Sequence, residues 1–450
     1  MNDNNFQTVL TTNSKFNNFQ IRRTLERLRE GLFDSFGVQL LTTSEKRLNQ
    51  IFNQTFITNY EPDLTLNPNL AQNIKDTTKK PDKAKPAHLC VCGAYGQGKS
   101  HTLNYIEQQA LNQNFVVSYI NLDPVQVCFH NFNIVYRSLM ENLSFPDQQT
   151  QTSFAKIWKI QAKKWLALQE NRNKTLKNLI PETIPHKFQC ILTAMAQNNM
   201  AINLKKRKLK KHVRFQPGSF PWILKNALLG KNIPAWRLSS VFKYRNVDFY
   251  KDKSLVCKKP EDYLDMVHGM GKLFKKIGYR GWIVLFDEGE SLVQNNIICR
   301  TKSYKLLDQM FYPDTRQDGL FPVFAFTNDF FAQLEYEDYE RIKPKRNYKN
   351  RDNNHLDNQN QNFYFDKNYH DEWKNIQKLR LHGLSSKEWE TLIQRLVIIH
   401  GLAYNWEPTM DLMQNKINQE LLKYATAETR LKFKITINIL DMEQQKLQFA

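Results

Sequence analysis

The sequence predicts an α/β fold in which helices flank a parallel β-sheet. Four short apolar runs have the length and the β-branched and aromatic content of buried strands, and helical patterns separate them along the chain. A glycine-rich segment follows the first run and opens a helical pattern. A strand, a helix and a second strand in succession form a βαβ unit, so the strands are expected to be parallel.

The composition indicates a folded protein with a basic surface. The chain has 450 residues, of which 41% are hydrophobic and 12% aromatic, which disfavours general disorder. This length leaves room for roughly two or three domains. The net charge of +20 favours a polyanionic partner, nucleic acid first, although a basic surface can also serve solubility alone.

The sequence predicts a cytoplasmic protein without a membrane anchor. The first residues lack a basic segment followed by an apolar one, so no signal peptide is expected. Apolar runs such as Trp282 to Phe286 are too short to span a bilayer. The six cysteines include no C-x-x-C pair, which disfavours zinc and favours free thiols in a reducing compartment.

Composition divides the chain into four predicted segments. Residues 1–86 form an N-terminal helical segment, interrupted at Gly31 and Gly37, and a charged linker. Residues 87–345 form the α/β core, with a basic helical insertion at about residues 150–260. Residues 346–365 are rich in Asn and Gln and are expected to be a flexible linker, and residues 366–450 a helical lid. In the lid, Ser385 and Glu388 have the spacing of a capping box.

The first apolar run, residues 88–92, is followed by a phosphate-loop pattern, G-x-x-x-x-G-K-[ST]. The loop reads Gly93-Ala94-Tyr95-Gly96-Gln97-Gly98-Lys99-Ser100 and is followed by His101. Its glycines allow backbone N–H groups to surround a triphosphate, and the helix that begins there adds its positive dipole end. Lys99 is predicted to reach the β- and γ-phosphates and Ser100 to bind Mg²⁺. His101 belongs to this predicted nucleotide-binding segment, with a structural role at the start of the helix.

The third apolar run, Trp282 to Phe286, ends in two acidic residues. Hydrolysis of a nucleotide needs a metal-holding acid and a group that orients water, both at the end of a strand near the phosphate loop. Asp287 is therefore predicted to hold Mg²⁺ and Glu288 to polarise the attacking water, with Glu290 as an alternative base. The other interpretation is an exposed acidic pair at a strand end.

Three further polar residues are candidates for contact with the γ-phosphate. Asn328 follows the fourth apolar run, where its amide could bind the phosphate or the water, or else end the strand as a turn residue. Arg430 could reach the nucleotide from the lid, and Arg341 from a neighbouring subunit of a homo-oligomer. Either arginine could instead be an ordinary surface residue.

The densest positive run lies inside the predicted insertion. It is predicted to contact DNA or RNA phosphates, with an affinity that depends on salt. The alternative is a solvated segment without a partner. Its residues are Lys205, Lys206, Arg207, Lys208, Lys210 and Lys211.

Taken together, these residues resemble the ATP-binding proteins of BREX-type phage-defence systems, a branch of AAA+-like P-loop ATPases. The resemblance begins at residues 22–31, continues through the phosphate loop with Tyr95 and His101, and includes residues 115–124 and the acidic strand end. It extends to Arg300 and Tyr304, residues 326–331, and the stretch from Thr429 and Arg430 to residue 441. Gly289 stands where the family usually has Ala, and Thr429 where it has Pro.

The resemblance implies a cytoplasmic ATPase that acts with other defence-system proteins on or near DNA, and the site residues predict that it uses ATP with Mg²⁺. Two alternatives stay open. One is a scaffold whose state depends on bound nucleotide and which barely hydrolyses it. The other is a nucleic-acid-binding protein that hydrolyses little ATP at this loop.

Overall fold

The computed structural model of the chain describes residues 18–57, 88–146, 153–168, 174–197, 215–313, 319–342, 365–424 and 428–449. The chain divides into two compact units. The first unit comprises Met1–Phe52, Val91–Gln108 and Leu379–Ala450, and the second unit comprises Asn53–Cys90 and Gln109–Lys378.

The fold is mixed α/β and contains one six-stranded sheet. Its strands are β1 (Leu89–Cys92), β2 (Val116–Asn121), β3 (Leu143–Ser144), β4 (Trp282–Asp287), β5 (Leu320–Phe326) and β6 (Lys378–Arg380). Their order in the sheet is β3-β2-β4-β5-β1-β6. The four apolar runs of the sequence correspond to β1, β2, β4 and β5, whereas the short strands β3 and β6 were not predicted.

The central strands of the sheet are parallel, as the βαβ pattern predicted. Strand β2 pairs with β4 so that Asn121 lies opposite Asp287, and β4 pairs with β5 so that Phe286 lies opposite Phe324. The short β3 is antiparallel to β2. The carboxyl ends of β2, β4 and β5 therefore share one edge of the sheet.

The helices are named in chain order. They are α1 (Asn18–Arg29), α2 (Ser35–Leu41), α3 (Glu45–Phe52), α4 (Lys99–Asn112), α5 (Phe132–Glu141), α6 (Phe154–Ala167), α7 (Leu176–Leu179), α8 (His186–Ala196), α9 (Phe220–Leu228), α10 (Ala235–Tyr244), α11 (Pro260–Lys276), α12 (Ile297–Phe311), α13 (Asn328–Ile342), α14 (Tyr369–Glu372), α15 (Ser386–Tyr404), α16 (Met410–Leu422) and α17 (Thr429–Phe449). Among the described residues, no helix is both long and apolar enough to cross a membrane.

The core of the second unit is built on the buried strands β4 and β5. All residues of these strands are buried, which explains why they read as continuous apolar runs rather than as an alternating pattern. The rings of Phe286 and Phe324 stack with centroids 4.4 Å apart. The described part of the predicted insertion consists of helices α6 to α10 and one 3-10 turn.

The core of the first unit joins the N-terminal helices to helices α15 to α17, which lie in the predicted lid. Leu25 and Leu28 of α1 pack in one cluster with Leu396 of α15 and with Ile437 and Leu440 of α17. The three-residue step between Leu25 and Leu28 places both side chains on one face of the helix. Helices α15 to α17 thus share a core with helices α1 and α2.

Two local predictions in this unit have different outcomes. The capping box is confirmed, because the Ser385 backbone N–H donates to Glu388 Oε2 at 2.9 Å and the Ser385 hydroxyl accepts from the Glu388 N–H. The interruption at Gly37 is wrong, since Gly37 lies within α2. Its N–H donates to the side chain of the N-cap residue Asp34 at 2.7 Å, so this glycine belongs to the first turn of a helix rather than to its end.

Candidate nucleotide-binding residues

The phosphate-loop sequence directly follows β1, and α4 begins at Lys99. Gly96 and Gly98 have φ angles of +75° and +87°, in the left-handed region that costs glycine little. A turn of this kind at the start of a 14-residue helix directs backbone N–H groups and the helix dipole toward one point. This backbone fits a phosphate chain.

The lysine of the loop lies against its own backbone. Lys99 is only 8% exposed, and its Nζ lies 3.4 Å from the Gly93 carbonyl oxygen and 3.5 Å from that of Ala94. The exposed ring of Tyr95 has its centroid 5.4 Å from the same nitrogen. Gln97 closes the turn by accepting the Ala94 N–H at 2.7 Å. Both carbonyl contacts are long, so a phosphate oxygen would replace them by a stronger charge-assisted bond.

His101, the residue after Ser100, makes its contacts with the N-terminal segment. Its Nε2 lies 2.9 Å from the Thr42 hydroxyl, and its ring meets that of Phe33 edge-on at 5.1 Å. Burial lowers the pKa of His101 to about 4, so the ring is neutral at pH 7. These contacts agree with the structural role that the sequence analysis gave this residue.

The start of α17 also lies beside the loop within the first unit. A Cβ atom placed on Gly96 would be 3.5 Å from the Cβ of Glu428, the residue that precedes α17. Arg430 lies in the first turn of α17 and its side chain is exposed. Its predicted role at the γ-phosphate stays a prediction. Glu428 belongs to no pattern that the sequence analysis could use.

In the second unit, Asp287 ends β4 and is 3% exposed. Its Oδ2 accepts the Tyr119 hydroxyl at 2.6 Å, and its Oδ1 accepts the Glu288 backbone N–H at 2.9 Å. Tyr119 lies on the neighbouring strand β2, and sequence analysis missed it because a tyrosine inside an apolar run reads as core. The carboxylate is therefore fixed in orientation at the carboxyl edge of the sheet.

Glu288 has an unusual backbone. Its φ and ψ angles are +56° and +39°, in the left-handed region that non-glycine residues adopt rarely. The side chain is half-buried, and a 3-10 turn, Gly289–Gln294, follows directly. Such backbone outliers cluster at functional sites, where the surrounding fold enforces them.

The remaining predicted residues differ in how far the structure describes them. Asn328 is the first residue of α13 and is exposed at the carboxyl end of β5, on the same sheet edge as Asp287. Arg341 belongs to the last turn of α13, and its side chain lies outside the described part. The basic run at residues 205–211 also lies outside the described residues.

The oxygen ligands that Mg²⁺ prefers are present in the predicted set. Ser100 offers a hydroxyl and Asp287 a carboxylate, and Mg²⁺ in phosphate sites commonly takes one or two protein oxygens besides phosphate and water. No group of three or more His, Cys, Asp or Glu that could hold a metal occurs in the described ranges. The hydroxyl of Ser100 and the carboxylate of Asp287 are chemically suited to Mg²⁺ that also binds phosphate oxygens.

The structure explains why this chain has glycine at position 289. A Cβ there would lie 2.6 Å from the Ala325 carbonyl oxygen and 2.6 Å from a ring carbon of Phe326. We expect Gly289→Ala to lower the free energy of unfolding by about 1–3 kcal/mol, because β5 must shift to admit the methyl group. Urea denaturation measures this, with Gly383→Ala as control, since a Cβ on Gly383 meets nothing within 4 Å. Equal stability of the two variants would contradict the tight packing of β5 against this turn.

A phosphate-loop sequence after the first strand of a mostly parallel sheet, in a mixed α/β protein, is consistent with a P-loop type of fold. Comparison with known protein families extends this. The chain belongs to the family of BREX system ATP-binding proteins BrxC/D, which matches residues 68–206 and 258–440. It is therefore a member of an ATP-binding family of BREX phage defence, as the resemblance predicted.

The family match leaves three parts of the described chain uncovered, the third being residues 441–449 at the end of α17. Residues 207–257 fall between the matched ranges and belong to the predicted basic insertion, and helices α1 to α3 precede residue 68. No curated protein and no solved structure shows a significant match to the chain.

Proposed function

We propose that this protein is an AAA+-like P-loop ATPase that binds and hydrolyses ATP with Mg²⁺. The observation that carries the proposal is the phosphate loop: positive φ angles at Gly96 and Gly98, followed by Lys99 and Ser100 at the start of α4. Membership of an ATP-binding family supports ATP as the ligand. The protein would hydrolyse ATP while it acts together with other proteins of the defence system.

The proposal gives each residue one task. Lys99 binds the β- and γ-phosphates, Ser100 and Asp287 hold the metal, and Glu288 orients the attacking water. When bound, Mg²⁺ neutralises charge that develops on the phosphates. Support for the acidic residues comes from the sheet, because ligands of open parallel sheets bind beyond the carboxyl ends of the strands.

Two additional residues complete the proposed site. Asn328 offers an amide at the carboxyl end of β5, where it could bind the γ-phosphate or the water. Arg430 supplies a positive charge from the first turn of α17.

Calorimetry with purified protein, ATP and Mg²⁺, combined with an assay of phosphate release, tests the proposal as a whole. Heat of binding together with phosphate release supports an ATPase. Binding without release would favour the nucleotide-gated scaffold, and an absence of binding heat would refute both.

We also propose that the basic insertion contacts DNA phosphates. Residues 205–259 contain 16 Lys and Arg but only 2 Asp and Glu, a net charge of +14 out of the chain's +20. Within the described part of this segment, Trp236 is 69% exposed and the guanidinium of Arg237 lies 5.2 Å from its ring. A concentrated positive charge with an exposed aromatic ring suits a nucleic-acid strand.

We expect DNA affinity to fall by roughly 10³-fold or more between 50 and 200 mM salt, because each neutralised phosphate releases counterions. Fluorescence anisotropy of labelled DNA measures this slope. Changing Lys205, Lys206 and Lys208 together to Gln should lower the slope by about 3, whereas Lys46, Lys387 and Lys423 changed to Gln should leave it unaltered. A slope that is flat in the wild type, or equally reduced by both triple variants, would rule out this interface.

A further inference from the structure

The N-terminal segment of the first unit contacts the phosphate-loop helix through two hydrogen bonds, from Tyr105 to Asn49 and between Thr42 and His101, and the direction of the second can be deduced. The Thr42 hydroxyl has one proton, which it donates to the Val38 carbonyl oxygen at 2.7 Å. It must therefore accept a proton in its 2.9 Å contact with His101 Nε2. His101 therefore has a proton on Nε2 and donates it to the Thr42 hydroxyl.

Thr42 is itself held in place by a buried charge. Nη1 of Arg395, on α15, donates to the carbonyl oxygens of Leu40 and Thr42 at 2.9 and 3.0 Å. Arg395 is 6% exposed and Thr42 2%. Charge-assisted bonds to two backbone oxygens orient the end of α2, so the acceptor offered to His101 has a fixed position.

A second contact joins the same histidine to the lid helix α17. The Phe33 ring meets the ring of His101 edge-on at 5.1 Å and also meets the ring of Phe433 edge-on at 5.1 Å. Phe433 lies one helical turn after Arg430 and also contacts Trp389, with centroids 5.3 Å apart. A displacement of α17 at Phe433 would therefore change the packing of Phe33 against His101.

We propose that Thr42 and Phe33 are positioning residues for ATP binding: Thr42 fixes the first turn of α4 through His101, and Phe33 couples that turn to α17. The proposal rests on ATP binding at the phosphate loop. His101 is adjacent to Ser100, so a shift of its ring displaces the backbone that faces the phosphates. Both residues precede the part of the chain that the family match covers.

The test compares Thr42→Val with Thr42→Ser. Valine has nearly the shape of threonine but cannot accept a hydrogen bond from His101, whereas serine can. We expect the Kd for ATP to rise about tenfold in Thr42→Val, because an unsatisfied N–H is left beside the loop, and to stay within about twofold in Thr42→Ser. Thr43→Val is the matched control, since Thr43 makes only a long 3.4 Å contact with Glu388 on α15.

The rate of amide hydrogen exchange in residues 429–449 tests the coupling separately. If Phe33 were only structural, its substitution would not change the effect of ATP on this rate. In the wild type, ATP should slow exchange in α17, and in Phe33→Leu this slowing should be lost while the Kd changes much less. Phe33→Leu also keeps the proposal testable if Thr42→Val does not fold, because leucine preserves the apolar contact and removes only the ring geometry.

The outcomes separate the inference from the proposed function. If the wild type binds no ATP, both fall. If it binds ATP but Thr42→Val loses only stability, with an unchanged Kd, then Thr42 is structural and its positioning role is refuted. If ATP slows exchange in α17 equally in the wild type and in Phe33→Leu, the coupling is refuted.

Discussion

Lys99→Ala is expected to weaken ATP binding by roughly 100-fold, with the fold intact. The ammonium group is the one side-chain cation of the loop sequence, and losing a charge-assisted bond to a phosphate in a partly desolvated site costs about 3 kcal/mol. In the structure this group makes long contacts of 3.4 and 3.5 Å with Gly93 and Ala94, which are too weak to dominate stability.

Calorimetric titration with ATP measures the Lys99 effect, and circular dichroism checks the fold. Lys46→Ala is the matched control, because Lys46 is an exposed lysine of the same unit in helix α3. An unchanged ATP affinity in Lys99→Ala would show that the loop is vestigial. That result would favour the alternative of a nucleic-acid-binding protein without nucleotide function.

Glu288→Gln is expected to reduce ATP hydrolysis by about 10²- to 10⁴-fold while ATP binding is preserved, since a general base contributes a factor of this size. Glutamine has the same shape but cannot accept the proton of water. The rates of the wild type and of Glu288→Gln can be compared directly, because the substitution keeps the hydrogen bond from the backbone N–H of residue 288 to Asp287. Single-turnover hydrolysis at saturating ATP measures the rate.

Glu290→Gln is the control for this prediction, because Glu290 is the second acidic residue of the same turn. A large loss of the hydrolysis rate in Glu290→Gln, together with a normal rate in Glu288→Gln, would assign the role of general base to Glu290. Normal rates in both variants would remove the catalytic role from this turn altogether.

Much of the α/β core could be predicted from the sequence because its signals are local. The strands β4 and β5 are buried on both faces, so each is a continuous apolar run bounded by turn residues. The phosphate loop is equally local, since one stretch of backbone makes the whole turn. Strands β3 and β6 have two and three residues, too short for any pattern to emerge.

The surroundings of the candidate site could not be predicted, because they depend on contacts between residues far apart in the chain. Tyr119 and Asp287 are 168 positions apart, and Thr42 and His101 are 59 positions apart. Neither pair has a spacing that a strand or helix would repeat. Only the register of β2 against β4, or the docking of α2 near the start of α4, brings these atoms together.

The left-handed backbone of Glu288 also bears on the heat resistance of the protein. A side chain in this conformation carries a penalty of about 1 kcal/mol that glycine does not. Under the proposed mechanism, this lost stability is the cost of holding one carboxylate in a fixed direction at the end of β4.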